Sequence, residues 1–540
     1  MNPLASNLNL NRYITVTLNY HSQPLYTAEV RPNLELSSLS LLMSSPHPKE
    51  PTSGGSDSHN PTHGHAPAHT PPQTHEHSHG HSHPPGPGPT PKPSPRPAPQ
   101  PMPQPVFGQP IFNEGIASAD PSHFLVPHPS DNQLYKQLGD ALQKNTVGFG
   151  PMRGKPDDTY TLATAYGARG DDTVKAILAN GKIVFHAMGD SGASDFRDYT
   201  SQLHVADQLT ADALQSPSPD RPTFLYHLGD IVYNFGETKY YYDQFYEPFR
   251  NYPLPILAIP GNHDSFLVPG TAPEAAPLEI FSHNFCATQP GITVEAGDLH
   301  RTSMTQPGVY FTLDAPFVRI IGLFSNALED PGVISSEGGK WPNVPDLQLE
   351  YLKAQLTRIQ SENYSGAVLI TLHHPPFVFA PQSGAQSPGS HGSSPSVLRQ
   401  IDTICSEVGV YPHAILSGHA HNYQRFTRTL SFGGKNREVP FVVCGSGGHH
   451  INSVGGSNSG QPSAEPVFGT DVSYLEVNPA VQVTKLVLAK YQDTEFGYLR
   501  VAVDGQRLRI AFHLLDGTGL NQSEYDVVTV DLATSTVVAN

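Results

Sequence analysis

The chain has 540 residues, enough for one large domain or two ordinary ones. It is rich in proline (54 residues) and glycine (47), only 37% of its residues are hydrophobic, and its formal net charge is −17 at pH 7. Because an acidic chain does not attract nucleic-acid backbone or anionic lipid, we expect neither a nucleic acid nor a membrane as partner.

The first twenty residues lack the basic and apolar regions of a secretory signal, and no apolar run reaches the length of a membrane span. We therefore expect a cytoplasmic protein, with export by a non-classical route left open. The three cysteines lack the spacing of a zinc site or a disulfide framework, so they are interpreted as small buried hydrophobes. They are Cys286, Cys405 and Cys444.

The first part of the chain differs in composition from the rest. Alternating apolar and polar residues from Tyr13 to Leu18 predict a short β-rich segment within residues 1–44. Residues 45–110 are rich in proline, which removes backbone donors and fixes φ, so a disordered, polyproline-like linker is predicted there. In this linker five histidines occupy alternate positions, a pattern that favours weak, accessory metal binding. They are His75, His77, His79, His81 and His83.

Residues 130–535 are predicted to form the main domain. Leucines four residues apart predict a helix over 131–144, and apolar residues three and four apart predict helices over Leu347–Gln360 and Ser396–Val408. Between them, short apolar runs end in polar turns: Ile183–Phe185, Phe224–Leu228, Ile256–Ile259, Val368–Leu372, Ile415–Leu416 and Phe441–Val443. Four more strand-like runs follow: Lys485–Ala489, Tyr498–Val503, Leu508–Phe512 and Tyr525–Val530. Alternating strands and helices predict a layered α/β fold, in which sites form beyond the carboxyl ends of strands.

Five of the polar turns carry side chains that can bind metals. They are Gly189-Asp190-Ser191-Gly192, Gly229-Asp230-Ile231-Val232-Tyr233, Gly261-Asn262-His263-Asp264, His373-His374-Pro375 and Gly418-His419-Ala420-His421. Any one of them alone is more often an ordinary turn. Together they bring carboxylates, an amide oxygen, a phenol and imidazoles to one sheet edge, and this mixed set suits iron and borderline divalent metals.

The series resembles the calcineurin-like metallophosphoesterase superfamily, whose blocks run D-x-H, G-D-x-x-D/Y, G-N-H-D/E, H and G-H-x-H. This resemblance implies a four-layer α-β-β-α sandwich. Gly192 stands where the first block has histidine, and Tyr233 ends the second block. That joint change resembles the purple acid phosphatases, in which a tyrosinate can fill the vacated coordination position and favours Fe(III). Asp264 stands where those phosphatases usually have glutamate.

The resemblance implies two metal ions, Fe(III) and a divalent Fe, Zn or Mn. Asp190, Tyr233 and His421 would hold the first metal, and Asp230 would bridge to the second. Asn262, His373 and His419 would complete the second site. The residues alone leave His374 open as an alternative ligand to His373, although the H-x-P pattern favours His373.

The implied reaction is hydrolysis by a hydroxide held between the metals. His263 would point at the phosphoryl oxygen or the leaving group, with Asp264 orienting its imidazole. His391, in a Gly/Ser-rich loop, is interpreted equally well as a second proton donor or as an exposed residue. His449 and His450, in the sequence CGSGGHH, receive no role.

The function predicted on this basis is a phosphomonoesterase similar to purple acid phosphatases, acting on a small phosphorylated substrate. A phosphodiesterase or nucleotide pyrophosphatase of the same superfamily is the first alternative. A metal-binding or scaffold protein that works through its His-rich tract is the second, and the complete ligand set argues against it.

Overall fold

The computed structural model describes residues 108–112, 119–128, 159–265, 278–380, 391–454 and 466–539. The predicted β-rich segment over 1–44, the helix over 131–144 and the linker up to residue 107 lie outside the described residues. All strands and helices below belong to the described ranges.

One sheet has nine strands in the order β1-β5-β6-β7-β8-β10-β9-β12-β11. Strands β6, β7, β8 and β10 run parallel in its centre, and β9, β12 and β11 extend it by antiparallel pairing. The strands are β1 (Thr159–Thr161), β5 (Thr312–Ala315), β6 (Val318–Gly322), β7 (Ala367–Thr371), β8 (Ala414–Ser417), β9 (Tyr423–Phe432), β10 (Lys435–Cys444), β11 (Thr470–Asp471) and β12 (Gln482–Gln492).

The second sheet has seven strands in the order β16-β15-β14-β13-β2-β3-β4. Strands β2, β3 and β4 are parallel, whereas β13 to β16 form an antiparallel meander that pairs with β2. The strands are β2 (Lys182–Met188), β3 (Leu225–His227), β4 (Ile256–Ala258), β13 (Gly497–Asp504), β14 (Arg507–Leu515), β15 (Gln522–Asp531) and β16 (Thr536–Val538).

The helices lie between the strands. They are Leu162–Tyr166, Gly170–Asn180, Phe196–Gln215, Thr238–Tyr241 with a following π turn Tyr242–Tyr246, Glu279–Phe285, Leu347–Ser361 and Pro395–Val408. None of these helices combines the length and apolarity needed to cross a bilayer.

The two sheets pack face to face. Tyr423 of β9 stacks on Phe512 of β14 with ring centroids 4.1 Å apart. Thr371 of β7 donates a hydrogen bond to the hydroxyl of Tyr226 on β3, at 3.2 Å. The facing side chains of both sheets therefore form a shared apolar core.

Helices cover the outer faces of both sheets. On the seven-stranded sheet, helix Phe196–Gln215 lies against β2, where Asp212 pairs with His186 at 2.8 Å. On the nine-stranded sheet, helix Leu347–Ser361 lies against β5, where Tyr351 bonds to Thr312 at 2.8 Å. The predicted α/β class and its four-layer arrangement are thus confirmed for the described part of the chain.

Most predicted elements are present with shifted ends. The six apolar runs from Ile183 to Val443 lie in β2, β3, β4, β7, β8 and β10, and the two predicted helices become Leu347–Ser361 and Pro395–Val408. The four last runs divide between the sheets, since the first lies in β12 and the others in β13, β14 and β15. The three cysteines are buried, as expected, and none of them is in a disulfide.

Residues before the predicted start of the main domain also pack on it. Phe124 stacks on Tyr199 with centroids 4.6 Å apart, and the backbone N–H of Ile111 bonds to Thr302 at 3.0 Å. Residues 111 and 124 thus contact the main domain although they precede its predicted first residue, 130. The predicted bounds of 130 and 535 stay a prediction.

Candidate metal centre

The five polar turns meet where the carboxyl ends of two sets of parallel strands come together. Asp190 follows β2, Asp230 follows β3 and Asn262 follows β4, all from the seven-stranded sheet. His373 follows β7 and His419 follows β8, from the nine-stranded sheet. Every one of these side chains is buried, so the packing of the two sheets assembles the site from distant parts of the chain.

Three of the turns contain a residue with a left-handed backbone conformation. Asp190, Asp230 and His419 have φ values of 58°, 55° and 69°, in the left-handed region that most residues avoid. Gly261 is needed for a different reason, because a Cβ at that position would lie 2.0 Å from Oδ1 of Asp230. The glycine lets the third turn approach the second closely.

The first ligand group consists of Asp190, Asp230, Tyr233 and His421. The hydroxyl of Tyr233 lies 3.2 Å from Oδ2 of Asp230, 3.5 Å from Oδ1 of Asp190 and 3.3 Å from Nε2 of His421. Nε2 of His421 lies 3.6 Å from Oδ1 of Asp190. The two carboxylates and the imidazole are close enough together to hold a metal ion.

The second group consists of Asp230, Asn262, His373 and His419. Nε2 of His373 lies 3.0 Å from Oδ1 of Asn262 and 3.2 Å from Oδ2 of Asp230. Nδ1 of His419 lies 3.1 Å from the same oxygen of Asn262. Asp230 thus belongs to both groups, and Asp230, His373 and His419 can together hold a second ion.

The neighbouring histidine, His374, faces another way. Its Nε2 donates to the carbonyl oxygen of Leu328 at 2.7 Å, and its Nδ1 lies 2.9 Å from the hydroxyl of Ser325. Both ring nitrogens of His374 are therefore occupied by the loop after β6. Of the two alternatives left open by the sequence, only His373 turns a ring nitrogen towards Asp230 and Asn262.

The groups fit a cation. The Nδ1–H of His373 donates to the carbonyl of Leu228 at 2.8 Å, so its Nε2 faces the oxygens of Asp230 and Asn262 with a lone pair unless it carries a proton. Although burial opposes it, the carboxylate of Asp230 raises the pKa of His373 to about 9. A positive charge beside Nε2 of His373 is therefore favourable, and either a proton or a metal ion can supply it.

Other ligands point to the same conclusion. Burial, together with the charge of Asp230, raises the pKa of Asp190 to about 7. Burial and neighbouring imidazoles hold the pKa values of His419 and His421 well below the usual range, which keeps both rings in the neutral form that binds metals. Nδ1 of His419 faces Asn262, whereas its buried Nε2 has no hydrogen-bond partner among the described residues and lies 3.7 Å from Asp330.

His263 and Asp264 do not form the expected pair. The carboxylate of Asp264 accepts backbone N–H groups of Ile231, Val232 and Gly261 at 2.9 to 3.1 Å. The Nδ1–H of His263 donates instead to the carbonyl of Asn234 at 2.9 Å. The prediction that Asp264 orients the imidazole is thus corrected: a backbone carbonyl orients it, and Asp264 ties two turns together because several amides converge on it.

His391 lies at the centre and is not merely an exposed residue. Its ring is centred 4.1 Å from that of His419 and 5.0 Å from that of His421. Nδ1 of His391 lies 3.3 Å from the carboxylate of Glu329. Although burial opposes it, Glu329 raises the pKa of His391 and favours its protonated form.

The acidic pair Glu329 and Asp330, in the loop after β6, also lies at the site and was not predicted from the sequence. Asp330 accepts the backbone N–H of Gly392 at 3.0 Å and lies 3.7 Å from Nε2 of His419. A signal was present, because the apolar run of β6 also leads into a polar loop that contains Pro and Gly.

The comparisons with known proteins agree with this geometry. Residues 185–423 match the family model described as Calcineurin-like phosphoesterase, a stretch that includes all five turns but less than half of the chain. No curated protein matches the chain significantly. Residues 185–423 are therefore similar to calcineurin-like phosphoesterases, and the predicted resemblance is confirmed at that level.

Two solved structures are similar to the chain, both with a TM-score of 0.37. The first, "GAP50 the anchor in the inner membrane complex of Plasmodium", is 11% identical, with 64% of this chain and 89% of that chain covered. The second, "Structure of PhoD", is 14% identical, with 66% and 72% covered.

Proposed function

We propose that this protein is a binuclear metal-dependent phosphomonoesterase similar to the purple acid phosphatases. One observation carries the proposal: two buried ligand groups share the carboxylate of Asp230. A carboxylate common to two ligand sets is what two adjacent metal ions require, and hydrolases of phosphate esters use such pairs.

We propose the ligands by position. Asp190, Asp230, Tyr233 and His421 would hold the first metal, and Asp230, Asn262, His373 and His419 the second. A tyrosinate is a hard anionic ligand, so Fe(III) at the first site with a divalent Fe, Zn or Mn at the second is the proposed pair. When bound, the metals would polarise the phosphoryl oxygens and lower the pKa of bound water.

The chain's own residues would bind the substrate and move the proton. Although burial opposes it, Glu329 raises the pKa of His391, and this imidazole beside the centre would give a proton to the leaving oxygen. His263, whose Nδ1–H donates to the carbonyl of Asn234, would bond to the phosphoryl oxygen or the leaving group through Nε2, which donates a hydrogen bond only when the ring is protonated. We expect the loss of either imidazole to lower the rate by about 100-fold or more.

An imidazole beside the centre favours a monoester. The dianion of a phosphomonoester needs a positive or hydrogen-bonding group, and His391, whose pKa Glu329 raises, lies beside the ligand His419 to provide one. A phosphodiesterase or nucleotide pyrophosphatase is the second candidate. Turnover of p-nitrophenyl phosphate against its bis ester separates the two, and faster turnover of the bis ester would contradict our proposal. We propose that the substrate is a small phosphorylated molecule and that the protein binds neither nucleic acid nor a membrane. The proposed location is the cytoplasm.

The test of the metal assignment is metal analysis combined with absorption spectroscopy. The oxidised protein should hold two metals per chain and be coloured by phenolate-to-iron charge transfer, and Tyr233→Phe should abolish the colour. Tyr498→Phe is the matched control, since it removes a buried hydroxyl that belongs to neither ligand group and has no hydrogen-bond partner among the described residues. A colourless iron-loaded protein would refute the tyrosinate, and a protein without bound metal would refute the function.

A further inference from the structure

The loop after β10 has no part in the proposed ligand sets, yet it contacts the proposed tyrosinate. We propose that His449 in this loop is a positioning residue that fixes the ring of Tyr233 at the first metal. The inference rests on the proposed function, because it concerns how the first-site phenol is held.

The two rings lie flat against each other. Their centroids are 3.8 Å apart and their planes differ by only 2°. His263 also contacts the phenol, with centroids 4.2 Å apart and planes inclined by 41°. Such close stacking removes the freedom of the Tyr233 ring to tilt, although the hydroxyl at its end still reaches Asp190, Asp230 and His421.

His449 is itself held on several sides. Its Nδ1–H donates to the carbonyl of Gly192 at 2.9 Å, and the same nitrogen lies 3.3 Å from the carboxylate of Asp198. Its backbone N–H donates to the carbonyl of Asp190 at 3.0 Å. The imidazole is therefore fixed to the first turn, the turn that supplies a ligand to the same metal.

Gly192 provides the space for this arrangement. A Cβ at position 192 would lie 2.8 Å from Cδ2 of Tyr233 and 2.6 Å from the carbonyl oxygen of Ile231. Gln244 holds the backbone around it, because its Oε1 accepts the N–H groups of both Ala193 and Tyr233. The missing side chain, the phenol and the stacked imidazole thus form one packing unit.

Two features separate His449 from its neighbour. His449 is buried, whereas the side chain of His450 is 55% exposed and lies 3.9 Å from Asp198. His450 contacts the rings of His421 and His449 at 5.0 and 4.1 Å. The geometry assigns the support of the tyrosinate to His449. Because His450 contacts the proposed ligand His421, the control is His513, which stacks on Tyr498 with ring centroids 5.5 Å apart and has no part in the ligand groups.

The experiment compares full-length wild type with His449→Ala, His449→Phe and His513→Ala. The readouts are the wavelength of the phenolate-to-iron absorption and the rate at which a chelator removes metal. We expect His449→Ala to shift the absorption and to release metal about 10- to 100-fold faster, as with other residues that orient metal ligands. His513→Ala, which removes a histidine stacked on a tyrosine outside the ligand groups, should match wild type in both readouts.

His449→Phe keeps a flat ring but lacks the N–H that reaches Gly192. It should lie between wild type and His449→Ala, and it replaces that variant if the alanine chain fails to fold. Wild-type absorption and metal release in both His449 variants would overturn the inference. The metal content of wild type is read separately, so a wild type without metal would refute the proposed function instead.

Discussion

Asp230 joins the two halves of the site at the level of single atoms. Its Oδ1 accepts the backbone N–H of His263 at 2.9 Å, and its Oδ2 lies 3.2 Å from both Tyr233 and His373. Although burial opposes it, His373 and His263 hold the pKa of Asp230 below its usual range. Oδ1 of Asp230 therefore accepts a backbone hydrogen bond, and Oδ2 faces both ligand groups.

This sharing predicts how metals are lost on substitution. Asp230→Asn removes the negative charge common to both groups, so we expect the content of both metals to fall. Asn262→Ala should lower the content of the second metal more than that of the first. Asp220→Asn is the control, because that half-exposed carboxylate pairs with Lys182 elsewhere. Elemental analysis measures the outcome, and an Asp230→Asn protein with two tightly bound metals would contradict a shared carboxylate.

We expect the substitution Gly192→Ala to lower the stability of the fold. Gly192→Ala places a methyl group against the backbone of Ile231 as well as the ring of Tyr233, so both neighbours must move. We expect the free energy of unfolding to fall by about 1–3 kcal/mol, as for other overpacked sites. Gly505→Ala is the control, since a Cβ there meets no atom within 4 Å. Equal denaturant midpoints for the two variants would exclude tight packing at position 192.

At the level of elements, the loop after β6 sets the environment of the proposed proton donor. This loop is held through His374, which bonds to Leu328 and Ser325, and it presents Glu329 to His391. A histidine that follows a strand therefore acts on the site indirectly, by fixing a neighbouring loop.

Glu329 predicts a change in pH dependence. Because Glu329 raises the pKa of His391, the acidic form of His391 is present below that pKa and is lost as the pH rises through it. Glu329→Gln lowers the pKa, so the alkaline limb of the kcat/KM profile should move to lower pH. Glu362→Gln, at an exposed ion pair with Arg319, should leave the profile unchanged. An unmoved limb in Glu329→Gln would exclude His391 as the acid.

The elements also show what a sequence can reveal. Strands such as β7 are predictable because they are buried on both faces and read as continuous apolar runs. Helix Phe196–Gln215 was not predicted, although Asp195 caps it and its buried positions recur every three or four residues, because polar residues dilute the pattern. Short motifs predicted the proposed ligands, whereas the contacts of Asp264 and His449 depend on packing between turns and were not accessible.

At the level of the whole molecule, every proposed ligand lies between residues 190 and 421. The His-rich tract at residues 75–83 contributes none of them. We expect replacement of its five alternate histidines by alanine, in the full-length chain, to leave two tightly bound metals and the hydrolytic rate unchanged. Metal analysis after dialysis and a phosphatase assay check this. Loss of both metals would favour the scaffold alternative over a hydrolase.

The left-handed backbone at Asp190, Asp230 and His419 has a consequence for selection experiments. A residue with a side chain in this conformation destabilises the fold by about 1 kcal/mol relative to glycine. Glycine at position 190 or 230 would also remove one of two neighbouring buried carboxylates. A library of variants screened for heat resistance without metal should therefore accumulate glycine at these positions and lose metal binding. The same screen with metal present should retain both aspartates, because bound metal stabilises only those variants that can bind it.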